Sequence, residues 1–179
     1  MKTSIIIPCY NEVKTIDSVV KNIIKNCDFD KEIIIVDDCS NDGTIDLLKE
    51  NIVHKVDKII YNKKNYGKGY SVKMGIPECE GEIIVIQDAD LEYDPKEIKY
   101  LLEPIKLGFA DVVFGSRFVS SRSRRVNLYW HSLANYYLTL FSNMLTNLNL
   151  SDMEVGFKVF KTEHIKSIKL YENRFGFEP

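Results

Sequence analysis

Four acidic side chains stand together where a strongly apolar segment of this 179-residue chain ends. The run Ile83 to Ile86 is followed closely by Asp88, Asp90, Glu92 and Asp94. Carboxylates this close repel one another and are costly to bury unless they are paired. Because Asp88 and Asp90 alternate along an extended segment, both can point to one side, where Mg²⁺ takes one or two carboxylates together with substrate phosphates. The alternative is a solvated turn, since Asp and Pro are both common where strands end.

The segments around this acidic run predict the elements that would position it. Short apolar runs rich in β-branched residues predict strands at residues 4–10, 31–38, 56–62, 81–88 and 110–117. Helical periodicity or helix-start signals predict helices at residues 12–26, from Thr44 onward, and at 67–76, 94–105 and 126–150. A turn leading into one more strand is predicted for residues 151–161. This alternation predicts an α/β fold, a doubly wound and mostly parallel sheet with helices on both faces.

Polar residues stand at the carboxyl ends of these predicted strands. They are Tyr10, Asn11 and Glu12, then Asp37 and Asp38, Asn62, Asp88 and Asp90, and Gly115, Ser116 and Arg117. In open α/β sheets, ligands bind beyond the carboxyl ends of the strands. The convergence of polar residues at one edge favours a functional site over a solvated turn.

Two common classes of nucleotide-binding protein are excluded by their fingerprints. The first strand ends in "PCYNE", without the glycines of a dinucleotide-binding turn, and the chain contains no G-x-x-x-x-G-K-[ST] sequence. The formal net charge of -2 also argues against a protein that binds nucleic acid.

Six segments, in this order, resemble glycosyltransferase family 2, which has the Rossmann-like GT-A fold. They are "IIIPCYNE", "IVDDCSNDGT", "NYGKGYSVKMGI", "QDADLEYDP", "VVFGSRF" and "DMEVGFKVFK", and they extend from Ile5 to Lys161. The chain is most similar to the dolichyl-phosphate mannosyltransferases and polyprenyl-phosphate glycosyltransferases of that family. A lone D-x-D sequence would be weak evidence, but six motifs in the family's order are specific.

The resemblance implies a role for each matching residue. It implies a base and ribose pocket of Pro8, Tyr10 and Glu12, and a nucleobase contact by Val36 and Asp38. It implies that Asp88 and Ala89 lie along the ribose and phosphates, and that Arg117 binds phosphate. It implies Asp88, Asp90 and Glu92 as the contacts of Mg²⁺ or Mn²⁺. The catalytic residues it implies are Asp90, Arg117 and Asp152, with Asp152 near the acceptor.

Lys68 has two interpretations. Its charge and its place at the start of a predicted helix suit a phosphate contact. A plain surface lysine is the alternative.

The resemblance implies an inverting, metal-dependent transfer of a hexose from a nucleotide-diphosphate sugar to a polyprenyl or dolichyl phosphate. GDP-mannose and UDP-glucose are both open as donors. One alternative is a sugar-hydroxyl acceptor in cell-surface polysaccharide synthesis. Another is a fragment that binds nucleotide without turnover.

The expected location is cytoplasmic, at the inner face of the cell membrane. Four cysteines without metal-ligand spacing predict reduced thiols, and no apolar run approaches the ~20 residues of a membrane span. Arginines in the loop 117–125 and aromatics in the helix 126–150 suit a membrane surface, although ordinary core packing would also explain that helix. Residues 1–179 are expected to be one catalytic domain, truncated at "ENRFGFEP", and the oligomeric state is not predicted.

Overall fold

A six-stranded sheet in the order β3-β2-β1-β4-β6-β5 forms the centre of the protein, in a computed structural model that describes residues 1–116, 118, 128–174 and 176. The strands are β1 (Thr3–Cys9), β2 (Lys31–Asp37), β3 (Lys58–Tyr61), β4 (Ile83–Ile86), β5 (Val112–Phe114) and β6 (Lys158–Lys161). β1 to β4 are parallel, β6 runs antiparallel to β4, and β5 runs antiparallel to β6. The predicted α/β class with a mostly parallel sheet is confirmed.

Helices cover both faces of this sheet. They are α1 (Ile16–Asn26), α2 (Thr44–Leu47, continued by a π-helical turn at Leu48–Ile52), α3 (Lys68–Gly75), α4 (Ile98–Lys106), α5 (Tyr129–Thr146) and α6 (Thr162–Ser167). Short 3₁₀ turns lie at Ile76–Glu78 and Pro95–Glu97. One apolar core joins the sheet to α1, to the π-helical turn and to α4, and a second joins it to α3 and α6.

The central strands are apolar along their whole length because both of their faces are buried. In β2, Ile33 and Ile35 enter the first core, whereas Ile34 and Val36 enter the second. Side chains alternate between the two faces of a strand, so a strand covered on both sides needs apolar residues at every position. This explains why continuous apolar runs, rather than alternating ones, predicted β1, β2 and β4 correctly.

The fifth strand is shorter than predicted, and its neighbour in the sheet is the last strand of the described chain. The prediction covered residues 110–117, but β5 spans only Val112–Phe114 and lies at the edge of the sheet, paired with β6 alone. Antiparallel β6 inserts between β4 and β5. Local apolar patterning predicts that a strand exists but carries no information on which strand lies next to it.

A network of charged side chains lies at the amino ends of β1 and β2, opposite the carboxyl ends of these strands. The Glu32 side chain is buried, and one of its oxygens accepts hydrogen bonds from the Ser4 hydroxyl and from the backbone N–H groups of Glu80 (2.6 Å) and Gly81 (3.1 Å). Its other oxygen lies 2.8 Å from Lys2 Nζ. Burial by itself would raise the pKa of Glu32, but the hydrogen bonds from Lys2, Ser4 and the two N–H groups hold that pKa below its ordinary value.

We expect Glu32→Gln to lower the free energy of unfolding by about 1–3 kcal/mol at pH 7, because the hydrogen bonds lose a charged acceptor and an amide NH₂ donor replaces the oxygen that faces Lys2 Nζ. A lowered pKa in the folded state means that the Glu32 contribution is complete above the ordinary value of 4.5 and is lost as the pH falls through the folded value. Urea unfolding at pH 7 and at pH 3 should therefore show the gap between wild type and variant closing in acid. Exposed Glu50→Gln is the control, and a gap that stays constant with pH would contradict the prediction.

Candidate active site

A cleft of about 500 Å³ opens at the carboxyl ends of β1, β2 and β4. Its described lining comprises Pro8, Cys9, Tyr10, Glu12, Asp38, Asn65, Gly67, Lys68, Ser71, Asp88, Ala89, Asp90, Glu92, Tyr93, Glu154, Gly156 and Arg174. The cleft lies where the polar strand ends were expected to converge. Its volume falls in the range of about 300–1,000 Å³ that is typical of small-molecule sites.

Most of the residues predicted for the site lie in this cleft. They are Pro8, Tyr10, Glu12, Asp38, Lys68, Asp88, Ala89, Asp90 and Glu92. Arg117 and the rest of the arginine-rich segment 119–125 lie outside the described residues, so their predicted roles have no structural counterpart here.

The four carboxylates after β4 differ in their hydrogen bonds and in whether they line the cleft. Asp94 accepts a hydrogen bond from the backbone N–H of Lys96 (3.0 Å) at the start of a 3₁₀ turn, and it does not line the cleft. Asp88 and Asp90 do line the cleft, and Asp90 Oδ1 accepts from the N–H of Glu92 (2.9 Å). The solvated-turn interpretation therefore describes Asp94, whereas the residues before it line the cleft and their role as metal ligands stays a prediction.

Lys68 forms an ion pair with the first of these carboxylates. Its Nζ lies 2.6 Å from Asp88 Oδ1, and both side chains are largely buried. The start of α3 thus brings a cation to the carboxyl end of β4. The plain surface-lysine interpretation does not fit this position.

Gly156 allows the backbone before β6 to lie directly against Asp88. A Cβ atom at Gly156 would overlap Asp88 Oδ2 and would lie 2.9 Å from Tyr93 Cε2. Tyr93 holds the segment in place, because its hydroxyl accepts a hydrogen bond from Gly156 N (2.8 Å) and its ring packs on Phe157 with centroids 5.0 Å apart. Gly156 was visible in the sequence only as part of a motif, and the physical need for it appears only in three dimensions.

Asp38 joins the end of β2 to the loop before α3. Its Oδ1 accepts from Asn62 Nδ2 (2.8 Å) and Tyr66 N (3.0 Å), and its Oδ2 accepts from Gly67 N (2.7 Å). The carboxylate also lines the cleft. Most of its acceptor capacity is used within the protein, so its contact with a nucleobase stays a prediction that would have to use the remaining capacity of Oδ2.

Two predicted residues are not brought to the cleft. The Val36 side chain is completely buried in the core between the sheet and α3. Asp152 is only 1% exposed, and its Oδ1 accepts from Asn135 Nδ2 (3.1 Å) on α5. Neither side chain belongs to the described lining of the cleft, so the ligand contacts predicted for Val36 and Asp152 stay predictions.

The donor chemistry of the cleft suits a hard divalent cation, although no complete ligand set is preformed. In the described part of the chain, no group of three or more His, Cys, Asp or Glu side chains is placed to hold a metal. Glu92 therefore does not complete a three-carboxylate cluster with Asp88 and Asp90. One or two carboxylates are nevertheless enough for Mg²⁺ when substrate phosphates supply further oxygens, and Asp88 and Asp90 both line the cleft.

α5 turns its polar side chains towards the body of the protein. The side chains of Asn135 and Thr139 are buried, and Thr139 Oγ1 accepts from the N–H of Met153 (3.2 Å). The exposed large apolar residues of the helix are Tyr129, Trp130, Tyr136, Tyr137, Leu138, Leu140, Phe141, Met144 and Leu145. Ordinary core packing therefore does not account for the apolar surface of α5. None of the helices in the described ranges has both the length and the hydropathy needed to cross a membrane.

Comparisons of sequence place this chain among sugar-transferring enzymes. The family model for glycosyl transferase family 2 matches residues 4–168. The dolichol-phosphate mannosyltransferase of Pyrococcus furiosus is 36% identical over 122 residues, which cover 66% of this chain and 34% of that protein. An undecaprenyl-phosphate 4-deoxy-4-formamido-L-arabinose transferase of Proteus mirabilis is 29% identical over 184 residues, which cover 99% of this chain and 54% of the relative. The chain thus spans between about a third and a half of the length of these two relatives.

Comparison of structures shows the same fold. The crystal structure of glucosyl-3-phosphoglycerate synthase from Mycobacterium tuberculosis, solved with Mn²⁺, UDP and glucosyl-3-phosphoglycerate, matches with a TM-score of 0.76 at 19% identity. The match covers 99% of this chain and 62% of the mycobacterial chain. At this level of identity the likeness concerns the fold alone, and it confirms the predicted fold class.

Proposed function

Because this chain belongs to glycosyl transferase family 2, we propose that it is the catalytic domain of a hexosyltransferase that moves a sugar from a nucleotide-diphosphate donor to a polyprenyl phosphate. The observation that carries the proposal is the cleft at the carboxyl ends of the parallel strands, which Asp90 lines together with the ion pair of Asp88 and Lys68. The names of the two aligned relatives, a dolichol-phosphate and an undecaprenyl-phosphate sugar transferase, support the acceptor class.

The donor would lie along the cleft from the end of β1 to the acidic segment after β4. Tyr10 and Glu12 would contact the base and ribose, and Lys68 would face the diphosphate. A lysine paired with Asp88 is held in place before the ligand arrives, so little side-chain freedom is lost on binding. GDP-mannose and UDP-glucose both stay open as donors.

Asp88 and Asp90 would hold Mg²⁺ or Mn²⁺ together with the donor phosphates. Such an ion acts as a Lewis acid, neutralises charge on the leaving diphosphate and positions it. The mycobacterial enzyme of the same fold was crystallised with Mn²⁺ and UDP, which supports this part of the proposal. Direct displacement with inversion at the anomeric carbon needs no nucleophile from the protein.

The burial of Asp152 favours a phosphate acceptor over a hydroxyl. A hydroxyl needs a general base to take its proton, whereas a phosphate monoester with a second pKa of about 6 is already anionic at pH 7. Asp152 is buried against α5, where its Oδ1 accepts from Asn135 Nδ2, and this position is unfavourable for taking a proton from an acceptor in the cleft. Glu154 lines the cleft, so the hydroxyl alternative would have to use Glu154 instead.

The decisive experiment is a transfer assay with matched acceptors. The purified protein is incubated with Mn²⁺, labelled UDP-glucose or GDP-mannose, and either undecaprenyl phosphate or undecaprenol. We expect product from the phosphate and none from the alcohol, which differs only in lacking the phosphate. Equal transfer to both lipids would contradict the proposed acceptor. Nucleotide binding without transfer to any acceptor would favour a non-catalytic domain.

The exposed apolar face of α5 would rest on the surface of the membrane that holds the lipid. Trp130, Phe141 and Leu145 recur at helical spacing on the side opposite Thr139, and they are 74%, 59% and 87% exposed. Amphipathic helices with Trp, Phe and Leu on one face bind in the interface plane of a bilayer. This placement would bring a polyprenyl phosphate to the protein without a spanning helix in the described part of the chain.

Replacing Trp130, Phe141 and Leu145 with Ser should lower partitioning onto anionic vesicles by at least about tenfold, since each buried side chain of this size contributes about 1.5–3 kcal/mol. Vesicle sedimentation measures the effect. The matched control replaces Leu107 and Phe109, which are also exposed but lie after α4. Equal partitioning of all three proteins would contradict the proposal, and loss of a dimer in the triple variant would show that the face binds protein instead.

A further inference from the structure

A short segment near the end of the described chain, residues 171–174, crosses the first turns of α3. The N–H of Tyr70 donates to the carbonyl of Asn173 (2.9 Å). The Nζ of Lys73 donates to the carbonyl of Tyr171 (3.2 Å) and to the Asn173 side chain. These contacts fix the path of the segment, which we call the C-terminal strap, against a helix that also borders the cleft.

The strap packs directly on Gly67, which lines the cleft immediately before α3. The φ angle of Gly67 is +104°, and a Cβ atom there would lie 2.6 Å from the Asn173 carbonyl oxygen and 2.7 Å from Arg174 Cγ. A side chain at position 67 would therefore both strain the backbone and displace the strap. The close approach brings Arg174 into the lining of the cleft.

Arg174 is a cationic side chain in a cleft whose described lining is rich in carboxylates. Six carboxylates line its described part: Glu12, Asp38, Asp88, Asp90, Glu92 and Glu154. Lys68 and Arg174 are the cationic side chains in the same described lining, and Lys68 is paired with Asp88. Within the described residues, Arg174 forms no ion pair. An exposed guanidinium in this position is available to an anionic ligand.

We propose that the C-terminal strap presents the Arg174 guanidinium to a phosphate group bound in the cleft. The inference rests on the proposed function, because the nucleotide-sugar donor and the lipid acceptor both carry phosphate. A guanidinium can donate two parallel hydrogen bonds to phosphate oxygens, which a single ammonium cannot do with the same geometry. The strap supplies this group from a position far along the chain from the acidic segment.

The test compares Arg174→Gln with Lys25→Gln, which removes an exposed positive charge outside both the strap and the cleft lining. Calorimetry measures the binding of UDP, GDP and the corresponding nucleosides in the presence of Mn²⁺. If the phosphate belongs to the donor, Arg174→Gln should raise the Kd of the diphosphate by about tenfold or more and leave nucleoside binding unchanged. The Lys25 variant should resemble the wild type.

Two further measurements separate the phosphate sources and test the strap. If Arg174 binds the lipid phosphate, the KM for undecaprenyl phosphate should rise about tenfold while the Kd of the diphosphate stays unchanged. Lys73→Gln removes a contact between α3 and the strap, and Lys73 does not line the cleft. This variant should raise whichever constant Arg174→Gln raises, the Kd of the diphosphate or the KM of the lipid, but by a smaller factor. The inference is overturned if neither parameter changes in Arg174→Gln, or if nucleoside binding falls as much as diphosphate binding. A wild-type protein that binds no nucleoside diphosphate would instead refute the proposed function itself.

Discussion

Asp90→Asn is expected to reduce the rate of sugar transfer by about a thousandfold while the protein stays folded. Asp90 lines the cleft and forms a local hydrogen bond with the N–H of Glu92, which an Asn side chain can also accept. The substitution removes one negative charge where a divalent cation would bind. Such an ion contributes several kcal/mol of transition-state stabilisation, and each 1.36 kcal/mol corresponds to about tenfold in rate.

The measurement is kcat with saturating donor and Mn²⁺, together with the thermal unfolding midpoint. Asp94→Asn is the matched control, because Asp94 belongs to the same acidic segment but hydrogen-bonds the N–H of Lys96 at a turn outside the cleft lining. Full activity of Asp90→Asn, or of the wild type in excess EDTA, would refute the metal-dependent mechanism.

The contrast between Asp90 and Asp94 shows what could be predicted from the sequence and what could not. Apolar patterning was sufficient to predict β4 and the acidic segment at its carboxyl end, and the motif order predicted a family that is now confirmed. The sequence could not separate the acid that initiates a turn from the acids that line the cleft. That distinction depends on side-chain direction after the strand ends, where the alternating pattern no longer applies.

The orientation of α5 is a second feature that the sequence pattern did not determine. Its apolar and aromatic residues predicted a helix, and the helix is present, but its buried side chains include Asn135 and Thr139. Periodicity identifies the polar and the apolar face of a helix. The apolar face is then usually assigned to the core, because the polar face is expected to contact water. That assignment fails when a polar network, such as the bond from Asn135 to Asp152, lies on the inner side.

Contacts between distant segments were beyond prediction from local pattern. Arg174 lies far along the chain from Gly67, and nothing in the sequence around either residue indicates that they meet. The loop between α5 and β6 is a similar case. Its motif was recognised, and Asp152 was expected at the acceptor, but it is Glu154 and Gly156 that line the cleft.

Gly156→Ala is expected to lower kcat by about a hundredfold through the displacement of Asp88. The added methyl group would overlap Asp88 Oδ2 and would lie 2.9 Å from Tyr93 Cε2, so either the backbone or the carboxylate must move. Tyr93 holds the backbone through Gly156 N and packs against buried Phe157, which makes the carboxylate the easier group to shift. A displacement of about 1 Å in a positioning group can cost about 10²-fold in rate.

The readout is kcat in the transfer assay, with Kd for the nucleoside diphosphate and thermal stability measured in parallel. Gly75→Ala is the matched control, because its methyl group would lie 2.8 Å from Ile6 Cγ2 in the core and away from Asp88. It should affect stability and leave kcat unchanged. If Gly156→Ala keeps wild-type kcat, Asp88 tolerates displacement and does not position the cation that would bind the reacting diphosphate. If both variants lose kcat equally, packing strain rather than the position of Asp88 limits turnover.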